Sequence, residues 1–130
     1  MERQNISSGA PWEATVGYSR AVRVGAQVWV AGTTAVDEHG QTVCPGDAYG
    51  QTKYILQKIG QALEEAGTEL DNVVRTRMFV TKIEDWVEIG RAHGEFFATV
   101  RPAATLVEVS RLISPDLLVE IEVDAFITRA

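Results

Sequence analysis

Near the C-terminal end of the sequence, Glu120, Glu122 and Asp124 alternate with Val119, Ile121, Val123 and Ala125. A side-chain repeat of two puts the acids on one face of a strand and the apolar set on the other. Carboxylates on a covered sheet face have two uses. One is structural, an ion pair across strands with Arg75 or Arg77. The other is chemical, because burial and neighbouring charge tune a carboxyl toward proton exchange with a bound water. Glu120, in mid-strand, is the candidate for chemistry, and pairing is expected for Glu122 and Glu108. Other reactive side chains are sparse. His39 and His93 are far apart and Cys44 is the single cysteine, which gives no metal-ligand spacing and no intrachain disulfide. His93 falls on an apolar helix face as a packing histidine. Gly46 and Gly50 near a helix start lack a P-loop lysine.

The elements that must position these groups follow from periodicity. Arg3–Ile6 reads as a short strand followed by a loop through Ser7, Gly9 and Pro11. Tyr18–Val24 and Gln27–Thr33 are β-rich and are joined at Gly25–Ala26 as a hairpin, and Gln27 to Ala31 is apolar on both faces. Asp37–Gly40 is a turn. From Ala48 to Ala66, Ile55, Leu56, Ile59, Ala62, Leu63 and Ala66 recur at helical spacing, and Gly67 closes the helix. Val73–Thr81 is a strand with Val74, Thr76, Met78 and Val80 on one face and Arg75, Arg77 and Phe79 on the other. A second helix over 84–97 is expected to bury Trp86, Ile89, His93, Phe96 and Phe97, with Gly90 and Gly94 allowing close packing. Strands over 104–110 and 118–128 complete the chain.

This order, with two helices for one sheet, predicts an α+β layering of the ferredoxin-like kind. The helices can cover only one sheet face. The other is expected to show Trp29 or Val30, Phe79, Leu106 and Phe126 among Arg75, Arg77, Glu108, Glu120 and Glu122. That mixture suits burial against copies of the same chain in a closed ring.

The bulk numbers set the frame. The 130 residues suit a single domain over 1–130, and no apolar run approaches the roughly 20 residues of a membrane span. A cytoplasmic location, with no membrane partner, is the expectation. A formal net charge of −6 without a Lys/Arg cluster makes a nucleic-acid partner a poor fit, because such binding rests on neutralising phosphates.

The sequence resembles the Rid family, also called YjgF/YER057c/UK114. The resemblance rests on Gly17-Tyr18-Ser19-Arg20, Val30-Ala31-Gly32, His93-Gly94-Glu95-Phe96-Phe97, Arg101-Pro102-Ala103-Ala104-Thr105-Leu106-Val107-Glu108-Val109 and Leu118-Val119-Glu120-Ile121-Glu122. It implies a chorismate-mutase-like mixed sheet with two helices on one face, assembled as a homotrimer with clefts between subunits. It also implies cofactor-free and metal-free hydrolysis of reactive 2-iminoacids or their enamine tautomers to 2-ketoacids and ammonia. The water-handling glutamate falls on Glu120 and a cleft tyrosine on Tyr18. The chain departs from the deaminase pattern elsewhere: Ala104 stands at the carboxylate-binding arginine, Ala31 at a serine, Gly90 at an asparagine and Leu106 at a cysteine. Arg101 and Arg20 are the candidates to return a guanidinium to the cleft as substrate-binding groups.

The expected function is therefore a Rid-type deaminase or hydrolase acting on an imine, enamine or related C–N bond of a small molecule, with the substrate altered. The competing expectation is a non-catalytic trimer that binds a small ligand. A ribonuclease or translation inhibitor is disfavoured by the charge.

Overall fold

The computed structural model describes residues 1–128. Strands β1 (Arg3–Ile6), β2 (Ala21–Val24), β3 (Gln27–Thr33), β4 (Val73–Val80), β5 (Ala103–Glu108) and β6 (Val119–Phe126) form one sheet in the order β1-β2-β3-β6-β4-β5. The pairings are antiparallel except for β4 with β5, which run parallel. Helices α1 (Ala48–Glu65) and α2 (Trp86–Phe97) pack on each other, and α1 packs on β3 and β6 at the centre of the sheet.

β6 holds the middle of the sheet, between β3 and β4. Its Val119, Ile121, Val123 and Ala125 are buried toward the helices with Val28, Val30, Met78 and Val80. On α1 the expected stripe of Ile55, Leu56, Ile59, Ala62 and Leu63 faces them, all buried. Asp47 caps that helix by accepting the Gly50 N–H at 2.9 Å. Its end turns at Gly67, whose φ of +89° is a left-handed conformation that a side chain would strain.

Several expectations need correction. Val73, not Val74, enters the core, and Val74 is 48% exposed. The pairing of β4 with β6 slips between Val73 and Arg75, and that irregularity reverses which side chain faces in. Leu106 and Glu108 lie beside Met78 and Val80 on the helix side of the sheet, and Thr105 and Val107 take the open side. Leu106 packs against the core, and Glu108 accepts the Ile83 N–H at 2.9 Å in the turn before α2. Trp86 is 58% exposed although its spacing matches Ile89. It is the first residue of α2, and helical side chains lean toward the N-terminus, which accounts for its exposure at that end. Gly90 and Gly94 do not serve close packing, because a Cβ at either would meet no atom within 4 Å.

One residue that apolar periodicity passed over ties this frame together. Gln51 is fully buried on α1. Its Nε2 donates to the Cys44 and Asp116 carbonyls at 3.2 and 3.0 Å, and its Oε1 accepts the Leu118 N–H at 2.9 Å. The amide thus holds the entry to β6 against the start of α1. Gln51→Leu leaves these part-buried backbone groups without their partner and is expected to cost about 3 kcal/mol of stability, read as a lower urea midpoint with an unchanged slope.

Candidate active site

The open face of the sheet carries Trp29, Val107 and Phe126, each more than 40% exposed. Among them lie the β6 acids, with Glu120 opposite Phe79, Glu122 opposite Arg77 and Asp124 opposite Arg75 on β4. Of the two residues offered for that face, Trp29 is outward and Val30 is core.

Cross-strand pairing with Arg75 or Arg77 does not reach Glu120. Arg77 turns instead to Asp124, Nη1 to Oδ2 at 3.4 Å, and among the described residues Glu120 has no ion pair. It is half-buried beside β3, at a place where that strand is irregular. Val30 pairs with Val123 and Thr33 with Ile121, so Ala31 and Gly32 together oppose the single residue Glu122. This is a β-bulge, a device that re-aims side chains at sheet sites. The Glu120 carboxylate occupies the space over Gly32, where a Cβ would stand 2.0 Å from its Oε2.

Arg20 comes to the same bulge from the other side. Its carbonyl accepts the Ala31 N–H at 2.9 Å, which extends the pairing of β2 with β3 by one residue. Its Nη1 donates to the Gly32 carbonyl and to Thr33 Oγ1, both at 2.9 Å, and Thr33 Oγ1 donates to the Ala31 carbonyl. The guanidinium carbon lies 5.6 Å from the Tyr18 ring centroid, which is cation–π range. Among the described residues, Arg20 Nε is buried without a hydrogen-bond partner. Burial pushes the Glu120 carboxyl above the ordinary glutamate value, Arg20 pulls it back, and Glu122 adds to the rise. A carboxyl raised in this way and free of an ion pair can take a proton from water and hand it on.

Of the four expected site residues, the structure sets Arg20 near Glu120 and Tyr18 beside Arg20. Arg101 is elsewhere in the chain. Ala103, two residues after it, pairs with Arg75, four positions from the Phe79 that lies opposite Glu120, which is about 13 Å along the sheet at the rise of a strand, and Arg101 lies beyond that end of β5. Its backbone is left-handed, φ 53°, and its N–H closes on the Phe97 carbonyl at 2.8 Å. Ala104, the residue at the deaminase arginine position, is exposed on β5 beside Thr76. His93 is on the helix side, with Nε2 2.9 Å from Thr76 Oγ1 and its ring 4.7 Å from that of Phe97. Burial lowers its pKa, as suits a neutral packing imidazole.

The sequence reading missed Gly32 as a site element, although the glycine sits in a motif that it quoted. It also missed Lys58 and Glu13. Lys58 Nζ donates to the Thr34 and Val36 carbonyls just past β3, and burial and the Arg20 charge lower its pKa. Glu13 lies in a helical turn over Glu13–Gly17 that was expected to be loop, where its carboxylate accepts from the Ser8 N–H and hydroxyl. Lone polar residues in such segments carry no periodic signal.

A family model described as Endoribonuclease L-PSP matches residues 8–127. An uncharacterized protein of Streptomyces coelicolor is 40% identical over 123 residues, 95% of this chain and 91% of that protein. The 3-aminoacrylate deaminase RutC of Acinetobacter baylyi is 35% identical over 104 residues, 80% of this chain and 82% of RutC. The crystal structure of Rv2704 from Mycobacterium tuberculosis, described as a member of the highly conserved YjgF/YER057c/UK114 family, superposes with a TM-score of 0.87 at 47% identity. That match covers 96% of this chain and 99% of Rv2704. With the mixed sheet, the two helices and the family match over nearly its whole length, the chain belongs to the YjgF/YER057c/UK114, or Rid, family.

Proposed function

We propose that this chain is a Rid-type deaminase that hydrolyses a reactive imine, enamine or related C–N bond of a small metabolite, without metal or cofactor. The observation that carries the reading is Glu120, a half-buried carboxylate with a raised pKa and, among the described residues, no ion pair. Similarity to a 3-aminoacrylate deaminase supports the reaction class. In the proposed cycle, the Glu120 carboxylate takes a proton from water as the water oxygen bonds to the imine carbon. The same carboxyl returns that proton to the nitrogen, giving a carbinolamine, and then carries the hydroxyl proton to the nitrogen as the C–N bond breaks, so that ammonia leaves and a carbonyl remains. Tyr18 and Arg20 line the substrate side of Glu120.

The site is proposed to lie between copies in a homotrimer. Trp29, Val107 and Phe126 leave an apolar surface among charges on the open face, which suits burial against a second copy. Arg101 is too far along the sheet to meet the Glu120 of its own chain, so in this reading it approaches the Glu120 of a neighbour. The competing reading, a trimer that binds a small ligand without turnover, draws on Ala104 at the arginine position of the deaminase pattern. The net charge of −6 argues against an RNA substrate. No helix among the described residues is long and apolar enough to cross a membrane, and a cytoplasmic location is part of the proposal.

Ammonia release from a panel of freshly generated imines is expected to fall by about 100-fold or more in Glu120→Gln, through kcat rather than KM. Turnover by the variant at the rate of the parent would defeat the deaminase reading. Sedimentation at micromolar concentration is expected to give the mass of three chains, and Trp29→Glu to shift it toward one. A stable, well-folded monomer in the parent protein would remove the intersubunit cleft.

A further inference from the structure

The bulge in β3 has features that a sheet interior does not require. Gly32 interrupts the register, and the space left by its missing Cβ is filled by the Glu120 carboxylate from the neighbouring strand. The Gly32 carbonyl is at the same time an acceptor for Arg20, whose other Nη1 acceptor, Thr33 Oγ1, is itself bonded back to Ala31. One glycine therefore sits between an acid on β6 and a guanidinium beside β2, on the two strands that flank β3 about 9.5 Å apart.

We propose that Gly32 and Arg20 are positioning residues that form a seat for Glu120. The glycine supplies the space the carboxylate occupies, and the arginine, fixed to the bulge, presents a charge that does not wander. This rests on the reading of Glu120 as the proton-handling group, and it assigns to Arg20 a task separate from contact with substrate.

Among the described residues, the charged surroundings of Glu120 are few. β3 contributes none at Gly32. β4 places Phe79 opposite, with Arg77 one pair along and turned to Asp124. Glu122 is on the same strand, and Lys58 of α1 and Glu13 lie close enough to Arg20 to feel its charge. Arg20 is the cation that most directly favours the charged form of Glu120, in opposition to burial and Glu122. The sign follows: removing the cation raises the Glu120 pKa, and turning the carboxylate out to water lowers it.

The test is the titration of Glu120 followed by carboxyl-carbon NMR in protein with labelled glutamate, assigned with Glu120→Gln. It needs no substrate. In Gly32→Ala the new methyl takes the place of Oε2, and the midpoint is expected to fall toward the ordinary glutamate value. In Arg20→Gln it is expected to rise by about one unit, and Arg20→Lys should recover part of the difference. Wherever imines are turned over, the rising limb of the pH–rate profile should move to higher pH in Arg20→Gln. Variants with parent-like amide spectra and an unmoved Glu120 midpoint would overturn the seat. So would shifts of one sign in all three variants, which would mean general loosening. If Gly32→Ala does not fold, the Arg20 pair alone decides. Midpoints that move as stated in a protein with no turnover of any imine would defeat the deaminase reading and leave the seat standing.

Discussion

The structure depends on β6 being buried on one side only. Its Val119, Ile121, Val123 and Ala125 lie at the centre of the core, and each drives its neighbour in sequence onto the opposite face. A slip of one residue would put three acids against α1 and four apolar side chains outside, so register is specified strongly. That constraint carries Glu120 to its place, and the bulge in β3 then decides what it meets there.

Much of the frame was legible in the sequence because it is written in periodicity. The two helices, the hairpin at Gly25–Ala26 and the alternation of β6 appear with boundaries that differ by one to three residues. What failed was local. The irregularity at Val74 moved a valine from core to surface, the first residue of α2 lost its partner at the helix end, and the parity of β5 placed Leu106 and Glu108 on the wrong side. None of these is a failure of hydrophobicity. Each depends on a register or an end, which one strand or helix read alone does not specify.

The candidate site was legible in part for the same reason. Glu120, Tyr18 and Arg20 were selected by type and by family motif, and the fold sets Arg20 near Glu120 and Tyr18 beside Arg20. Arg101 was chosen for its nearness in sequence to the vacant arginine position, and the parallel pairing of β4 with β5 sends it to the far end of the sheet. The role of Gly32 was invisible because the signal is an atom that is absent. Its meaning depends on which neighbour fills the space, and that neighbour is 88 positions away in the chain, Gly32 to Glu120.

The buried amide of Gln51 has a consequence for the order in which the molecule comes together. It bonds to Leu118 across 67 positions of sequence and to Asp116 across 65, so the start of β6 settles only when α1 is formed and the C-terminal segment has been made. Contacts of such separation form late, since the intervening chain must first lose its freedom. The acid on β6 therefore has no partner and no fixed place in a chain that is still emerging. Whatever chemistry it supports begins with the completed protein and has no partial form.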